Sequence, residues 1–298
     1  MAKIGFIGLG NMGLPMALNL KKAGHEVVGF DAVDKARQRA LELGLTLGAS
    51  NEDAAQAGQI VILMLPNGKI VSEVATEILK VMPAESLLID CSTIDVSSAK
   101  NLHELAQKAN IGCLDAPVSG GVGGATAGIL TFMVGGSKDA FSLGTEYFDI
   151  MGQKAVHCGN GGAGQAAKIC NNMLLGISMI GTCEAFLLAE KLGLSQSALF
   201  DVISTSSGYC WSVNNYCPVP GVGPKSPADN DYKPGFAAAL MLKDLGLSQQ
   251  AAKQASALTP LGKHASELYR EMVDAGHAGD DFSGMIEFLQ SKQKAGKN

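Results

Sequence analysis

One lysine stands in a segment that otherwise contains neither lysine nor arginine. Lys168 is the only such residue between Ala155 and Glu190, and its neighbours are small or apolar. Asn172 follows four residues later, on the same face of a predicted helix. Because partial desolvation lowers the pKa of an amine, a lysine in this setting can act as an acid or a base near neutrality. A lysine that extends along a helix to reach solvent is the alternative.

A second candidate site is the segment from Asp115 to Gly121, which leaves the end of a predicted strand. Its successive backbone N–H groups can form a concavity for an anion. A substrate carboxylate would fit such a concavity. The same composition is also typical of a glycine-rich surface loop, so both interpretations stay open.

A glycine-rich turn lies near the start of the chain, between a predicted strand and a predicted helix. Its residues are Gly8, Leu9, Gly10, Asn11, Met12 and Gly13. Glycines there allow a tight turn and a close approach of a pyrophosphate, which the helix N-terminus then faces. We therefore expect the turn to bind a dinucleotide, with a glycine turn that binds no cofactor as the alternative.

Asp31 ends the second predicted strand, 18 positions after Gly13. A carboxylate there can accept hydrogen bonds from the adenosine ribose hydroxyls and would repel a 2′-phosphate. No arginine follows directly, since Ala32, Val33 and Asp34 come next. The sequence therefore predicts NAD rather than NADP, with an ordinary turn residue as the alternative.

Two further loops follow predicted strands, at the edge where ligands bind in open α/β sheets. They are Leu65-Pro66-Asn67 and Cys91-Ser92-Thr93. Either could be an ordinary turn, but their shared position favours contact with the cofactor.

The histidines and cysteines give no sign of a metal site or a disulfide framework. The five histidines, at 25, 103, 157, 264 and 277, have neither metal-binding nor triad-like spacing. The cysteines number seven and contain no Cys-x-x-Cys pair. We therefore predict reduced thiols, no bound metal and no catalytic histidine.

The candidate residues require a scaffold in which strands and helices alternate. Strand 3–7, helix 12–23 and strand 26–30 form one βαβ unit, and Pro15 and Gly24 suit its helix. The pattern continues through helix 34–43, a strand near Leu45, helix 51–57, strand 60–65, helix 69–82, strand 86–90, helix 95–109 and strand 112–116. It predicts an α/β fold with an N-terminal doubly wound Rossmann domain. Residues 117–136 are expected to form strands at the sheet edge, joined by loops.

The predicted secondary structure changes near residue 164, from alternating strands and helices to helices. Glycines cluster between 159 and 164, and helical patterns dominate from Gln165 onward, interrupted at 204–234. We expect a dinucleotide-binding domain over 1–163 and an all-helical substrate and oligomerisation domain over 164–298. The longest apolar run, 173–189, is broken by Glu184 and is interpreted as a buried helix too short to span a bilayer.

Composition limits the classes of partner. Hydrophobic residues make up 47% of the 298 residues and charged residues 17%, which favours a large core, a buried subunit interface, or both. A net charge of −5 provides no basic field, so nucleic acid and membrane partners are not expected. Lys292, Lys294 and Lys297 are interpreted as a solvated, frayed tail. Strand-like residues from Lys3 leave no room for a targeting segment, and a cytosolic location is predicted.

Four motifs in order resemble the β-hydroxyacid dehydrogenase family, within it most closely the branch that acts on 3-hydroxyisobutyrate. They are Ile4 to Gly13, Asp115 to Gly121, Gly164 to Lys168 with Asn171-Asn172, and Lys243-Asp244. The segments 206–212 and 216–221 also look like that branch, except that Tyr209 stands where an arginine is more usual. This departure puts the choice of substrate in doubt rather than the type of reaction.

The resemblance implies a role for each matched residue. Lys168 would be the general acid/base, supported by Asn172, and Ser119, Gly120 and Gly121 would hold the substrate carboxylate. Leu65, Pro66 and Thr93 would line the NAD, and Lys243, next to Asp244, would close over the nicotinamide. Trp211 and Phe236 are candidates for an apolar wall around the substrate, or plain core aromatics. The family also implies a long interdomain helix, a dimer or tetramer, and a role in valine breakdown.

Other interpretations remain open. A related enzyme that acts on L-serine or tartronate semialdehyde would share every motif and differ only in pocket residues. Imine reductases share the architecture but usually lack the lysine at 168, and a decarboxylating phosphogluconate enzyme needs a longer helical domain. A non-catalytic NAD-binding sensor would have no need of Lys168, Asn172 and the Ser119 loop together.

Overall fold

The computed structural model describes residues 1–295. The chain divides into two compact units, with the boundary between Lys168 and Ile169. Lys297 of the predicted frayed tail lies outside the described residues. Lys292 and Lys294 belong to a regular helix, and Lys292 forms an ion pair with Glu271. The expectation of a frayed end at these two lysines is therefore wrong.

The first unit is built on a nine-stranded sheet. The strands are β1 (Lys3–Ile7), β2 (Glu26–Phe30), β3 (Thr46–Leu47), β4 (Ile60–Leu63), β5 (Leu87–Asp90), β6 (Gly112–Asp115), β7 (Val118–Ser119), β8 (Leu130–Gly136) and β9 (Gly152–Gly159). The first six pair in parallel in the order β3-β2-β1-β4-β5-β6. This is the strand order of the dinucleotide-binding Rossmann fold, with a topological switch point between β1 and β4.

Helices connect the parallel strands and cover the sheet. They are α1 (Gly13–Lys22), α2 (Asp34–Glu42), α3 (Asn51–Gln56), α4 (Gly68–Ile78) and α5 (Val96–Lys108). Every residue of β4 is buried, as expected for a central parallel strand covered on both faces. Polar side chains cap the starts of α4 and α5: Asn67 accepts a hydrogen bond from the Ile70 N–H (3.0 Å), and Asp95 accepts one from the Ser98 N–H (2.8 Å).

The segment after β6 differs from its prediction. Residues 121–127 form helix α6 (Gly121–Ala127), which ends at Gly128 with φ at 68°, where a loop was expected. Strand β8 is not at an edge, since it pairs with β6, β7 and β9. The segment is rich in glycine and alanine and carries little apolar periodicity, so its sequence gave no helix signal. Helix α7 (Lys138–Met151) then leads into β9.

Among its described residues the second unit consists of helices joined by turns and loops, with one isolated bridge between Ala237 and Asp281. Its helices are α8 (Ala163–Lys191, which begins before the unit boundary), α9 (Gln196–Ile203), α10 (Trp211–Asn214), α11 (Ala238–Gln254), α12 (Pro260–Met272) and α13 (Met285–Ala295). The Rossmann-plus-helical fold class is confirmed.

Helix α8 is long, as the family resemblance implied, and extends beyond both ends of the apolar run at 173–189. It has 29 residues and is, by length and composition alone, long and apolar enough to cross a membrane, so the expectation that it is too short is wrong. Half of its most apolar stretch is buried within the protein. Met179, Cys183 and Phe186 belong to the apolar core of the second unit, which accounts for that burial.

Candidate functional site

Backbone geometry explains two of the three glycines in the first turn. Gly8 has φ at +97°, and a Cβ there would lie 2.2 Å from the carbonyl oxygen of Met64. A Cβ on Gly13 would lie 1.9 Å from the carbonyl oxygen of Gly8. Any larger side chain at either position would disrupt the junction between β1 and α1.

Neither the backbone angle nor a close contact within the protein requires glycine at position 10. Among the described residues, apart from its two chain neighbours, no atom lies within 4 Å of a Cβ built on it, and the residue is exposed beside Asn11. Met12 precedes α1 without a side-chain cap, and the first turn of α1 carries no acidic residue. Open space over a glycine, at the N-terminus of a helix, fits the close approach of a pyrophosphate.

Asp31 follows β2 and is fixed by two backbone groups. Its Oδ2 accepts a hydrogen bond from the Leu9 N–H (2.7 Å), and its Oδ1 accepts one from the Val33 N–H (2.8 Å). Arg37 donates to the Asp31 carbonyl (2.6 Å), and its guanidinium lies 5.6 Å from the centre of the Phe30 ring. The carboxylate therefore lies against the glycine turn, where remaining lone pairs can accept from ribose hydroxyls.

The two strand-end loops lie side by side. Leu65 and Pro66 follow β4, Thr93 lies in the loop after β5, and the two strands pair in register. The Leu65 N–H donates to Ser92 Oγ (2.8 Å). The structure thus brings together three of the residues predicted to line a dinucleotide.

The loop predicted to hold a carboxylate leaves a short strand. Ser119 ends β7 opposite Thr131, and Gly120 and Gly121 follow with φ at 135° and 61°. Both angles favour glycine, so the backbone rather than side-chain packing accounts for these residue types. The turn leads directly into α6.

A buried hydrogen-bond network that the sequence did not reveal joins the start of α8 to the sheet. The Asp115 carboxylate accepts from the N–H groups of Gly162 (2.8 Å) and Gln165 (2.9 Å) and contacts His103 Nε2 (2.9 Å). Asp90 pairs with Asp115 in the β5–β6 register, and burial raises the pKa of Asp90 to about 7. His103, set aside on spacing alone, thus has a carboxylate partner.

Lys168 lies near the start of α8 and is only 7% exposed. It therefore does not extend to solvent, contrary to the alternative left open by the sequence. Asn172 lies one turn further along the same helix and is also buried. A buried amine and a buried amide on one helical face are suited to moving a proton and to fixing the group that moves it.

Asn172 is fixed from two sides within the second unit. Its Nδ2 donates to Asp244 Oδ2 (2.5 Å), and its Oδ1 accepts from Asn171 Nδ2 (2.9 Å). Asp244 and the preceding Lys243 lie on α11. Two members of the predicted site, Asn172 and Asp244, are therefore in direct contact.

Trp211 and Phe236 join one aromatic group in the second unit. The ring of Trp211 stacks on Tyr216 at 4.8 Å, and Phe236 meets Phe282 edge-on at 5.8 Å. Tyr216 also packs against Phe282, at 5.3 Å. Trp211 remains 48% exposed, so one face of its ring is available to a ligand.

A buried carboxylate, also missed from the sequence, holds this aromatic group. Asp281 Oδ2 accepts hydrogen bonds from Tyr216 Oη (3.0 Å) and from the N–H groups of Gly235 (2.9 Å) and Phe236 (3.0 Å). Burial and the neighbouring carboxylate raise the pKa of the Tyr216 phenol. The Tyr216 phenol therefore stays a hydrogen-bond donor at physiological pH.

Comparison with known proteins gives family matches to both parts of the chain. Residues 3–159 match the model of the NAD-binding domain of 6-phosphogluconate dehydrogenase. Residues 162–289 match the model for NAD-binding of NADP-dependent 3-hydroxyisobutyrate dehydrogenase. Together the two models span most of the chain.

Full-length relatives are also similar. A probable 3-hydroxyisobutyrate dehydrogenase of Mycobacterium tuberculosis is 48% identical over 99% of this chain and 100% of its own length. The mitochondrial 3-hydroxyisobutyrate dehydrogenase of Homo sapiens is 45% identical over 97% of this chain and 87% of its own. A solved structure of a Mycobacterium tuberculosis 3-hydroxyisobutyrate dehydrogenase with L-serine superposes with a TM-score of 0.94, at 48% identity, covering 97% of this chain and 99% of that one.

Proposed function

Because the chain belongs to the family of 3-hydroxyisobutyrate dehydrogenases, we propose that it oxidises the β-hydroxyl of 3-hydroxyisobutyrate to methylmalonate semialdehyde. Members of this family are oxidoreductases with a nicotinamide dinucleotide cofactor. When bound, that cofactor accepts the hydride that leaves the β-carbon. The reaction would serve the breakdown of valine.

The observation that carries the proposal is the burial of Lys168 near the start of α8. That helix is anchored through Asp115 to the carboxyl edge of the same sheet that carries the glycine turn. Lys168 is the general base that takes the hydroxyl proton as the hydride departs, and the general acid in the reverse direction. Asn172 supports the lysine from the next turn of the helix.

The remaining site residues bind and orient the substrate. Backbone groups of Ser119, Gly120 and Gly121 hold its carboxylate, which fixes the β-carbon relative to Lys168. Trp211 and Phe236 form the apolar wall for the branch methyl. Lys243 and Asp244 complete the cofactor-binding set.

We infer that NAD is preferred over NADP. The Asp31 carboxylate lies against the glycine turn, where it would accept from ribose hydroxyls and repel a 2′-phosphate. Arg37 is paired with Asp34 and with the Asp31 carbonyl, so its charge is already partly compensated. The matched C-terminal family model is described for NADP-dependent enzymes, so both cofactors belong in the test.

The experiment is a measurement of kcat/KM for 3-hydroxyisobutyrate, 3-hydroxypropionate and L-serine, each with NAD and with NADP. A buried methyl is worth about 1–3 kcal/mol, so 3-hydroxyisobutyrate should exceed 3-hydroxypropionate by about 10- to 200-fold. L-serine or 3-hydroxypropionate as the best substrate would overturn the choice of substrate but not of reaction. The absence of NADH or NADPH formation with every acid would favour a non-catalytic sensor.

We further propose a homodimer or homotetramer in a reducing, cytosolic compartment. Leu188, Leu192 and Val202 in the second unit are exposed apolar side chains that a subunit interface would cover. All seven cysteines are free thiols, which suits a reducing environment. Sedimentation equilibrium would test the assembly, and a monomer at micromolar concentration would contradict it.

A further inference from the structure

Gln165 is a fully buried amide in the first turn of α8 that the proposed chemistry does not use. Its Oε1 accepts a hydrogen bond from the Ile94 N–H (3.1 Å), and its Nε2 donates to the Ser92 carbonyl (2.7 Å). The side chain is 0% exposed. The oxygen and the nitrogen of this amide therefore bind the two residues that flank Thr93 in its loop.

Ser92 extends this contact to the neighbouring strand-end loop. Its Oγ accepts from the Leu65 N–H (2.8 Å), and its own N–H donates to Asp90 Oδ1 (3.0 Å). Through Ser92, Gln165 is linked to both loops that are proposed to line the cofactor.

The backbone of the same helical turn is also fixed. Asp115, which contacts His103, accepts from the N–H groups of Gly162 and Gln165. A Cβ on Gly164 would lie 2.4 Å from the carbonyl oxygen of Asp115, so the helix packs directly on the end of β6. The turn has no room to move toward the sheet.

Gln165, Lys168 and Asn172 have the spacing i, i+3 and i+7, which places them on one face of α8. Lys168 follows Gln165 by about 4.5 Å along the helix axis, at 1.5 Å per residue. A displacement of about 1 Å between reacting groups can cost about 10²-fold in rate. A rigid link between the Thr93 loop and this helical turn therefore bears directly on the rate.

We propose that Gln165 is a positioning residue for hydride transfer. It holds the Ser92–Ile94 loop, and thereby the bound nicotinamide dinucleotide, in register with the helical turn that carries Lys168. The proposal rests on the proposed function, because it assumes that Lys168 is the acid/base and that Thr93 lines the cofactor.

The first test is Gln165→Leu, which removes both side-chain hydrogen bonds and nearly preserves the volume. The measurement is NADH formation in a single turnover of 3-hydroxyisobutyrate, divided by the concentration of NAD-binding sites found by titration. We expect the rate per site to fall about tenfold or more. The Kd of NAD should change by less than about threefold. A merely structural role would reduce the number of sites and leave the rate per site unchanged.

Gln165→Glu provides a second measurement that does not depend on how well the leucine variant folds. A neutral carboxyl group can still accept from the Ile94 N–H and donate to the Ser92 carbonyl, whereas a carboxylate oxygen would repel that carbonyl. The rate per site relative to the unsubstituted protein should therefore rise as pH is lowered and fall as it is raised. Gln107→Glu, on the exposed face of α5, is the matched control and should show a ratio that does not vary with pH.

A rate per site within about twofold of the unsubstituted protein for Gln165→Leu would overturn the proposal, since misalignment should cost more. So would a Gln165→Glu ratio that does not depend on pH. If the unsubstituted protein itself forms no NADH from 3-hydroxyisobutyrate, the proposed function fails instead, and the two failures are distinguishable.

Discussion

The carboxylate of Asp31, at the end of β2, accepts a hydrogen bond of 2.7 Å from the backbone N–H of Leu9, in the glycine turn that follows β1. The residue proposed to select the cofactor ribose therefore also holds the turn proposed to bind its pyrophosphate. A substitution at Asp31 acts on both, so the ratio of the two cofactors is more informative than either affinity alone.

We predict that Asp31→Ser weakens NAD binding and narrows the preference for NAD over NADP by about tenfold or more. The carboxylate that would repel a 2′-phosphate is lost, while Arg37, which donates to the Asp31 carbonyl, keeps a positive charge nearby. Steady-state kcat/KM with each cofactor gives the ratio. Asp149→Ser, on the exposed face of α7, is the control and should leave the ratio unchanged. An unchanged ratio for Asp31→Ser would show that this carboxylate does not reach the ribose.

A second prediction concerns the buried Asp90. Burial raises its pKa from 3.8 to about 7, so between these values the folded protein holds a proton that the unfolded chain releases. Unfolding then releases a proton, and the free energy of unfolding falls as pH rises through this window. Asp90→Asn removes that dependence.

The stability of Asp90→Asn relative to the unsubstituted protein should therefore increase by about 3 kcal/mol from pH 5 to pH 8. Urea denaturation at the two pH values measures the difference. If the buried amide destabilises the variant by a constant amount, the stability difference shifts equally at pH 5 and pH 8, and the increase between the two pH values is unaffected. An equal stability difference at pH 5 and pH 8 would show that Asp90 is ionised throughout.

The proposed apolar wall gives a third prediction. Trp211→Ala should reduce the preference for 3-hydroxyisobutyrate over 3-hydroxypropionate from about 10- to 200-fold toward unity. The kcat/KM for 3-hydroxypropionate, which has no branch methyl, should change far less. Leu258→Ala, an exposed apolar residue of the second unit outside the proposed site, is the control and should retain the preference. A preference that survives Trp211→Ala would place the methyl group elsewhere.

The parts of the fold that depend on local pattern were predicted well. Strands β1 and β2 match their predicted bounds, because apolar runs between a glycine turn and a helix stop are local signals. The strand expected at 60–65 ends at Leu63, which leaves Leu65 and Pro66 in the loop. Helix α6 was missed because its glycine- and alanine-rich sequence has no apolar face to detect.

The polar networks could not be predicted, because their partners are distant in sequence. Gln165 lies more than 70 positions from Ile94 and Ser92, and Asp281 lies 65 from Tyr216. His103 and Asp115 are only 12 apart, but the end of α5 and the start of β6 intervene. One local signal was available for Gln165: it shares a helical face with Lys168 and Asn172.

The most direct test of the central claim is the turnover of Lys168→Ala with 3-hydroxyisobutyrate and NAD. We predict that kcat falls by about 10²-fold or more, the scale of lost acid/base catalysis, while the Kd of NAD stays nearly unchanged. Lys191→Ala, an exposed lysine at the other end of α8, should retain full activity. Near-normal kcat in Lys168→Ala, with or without a lower melting temperature, would contradict the assignment of Lys168 as the general acid/base.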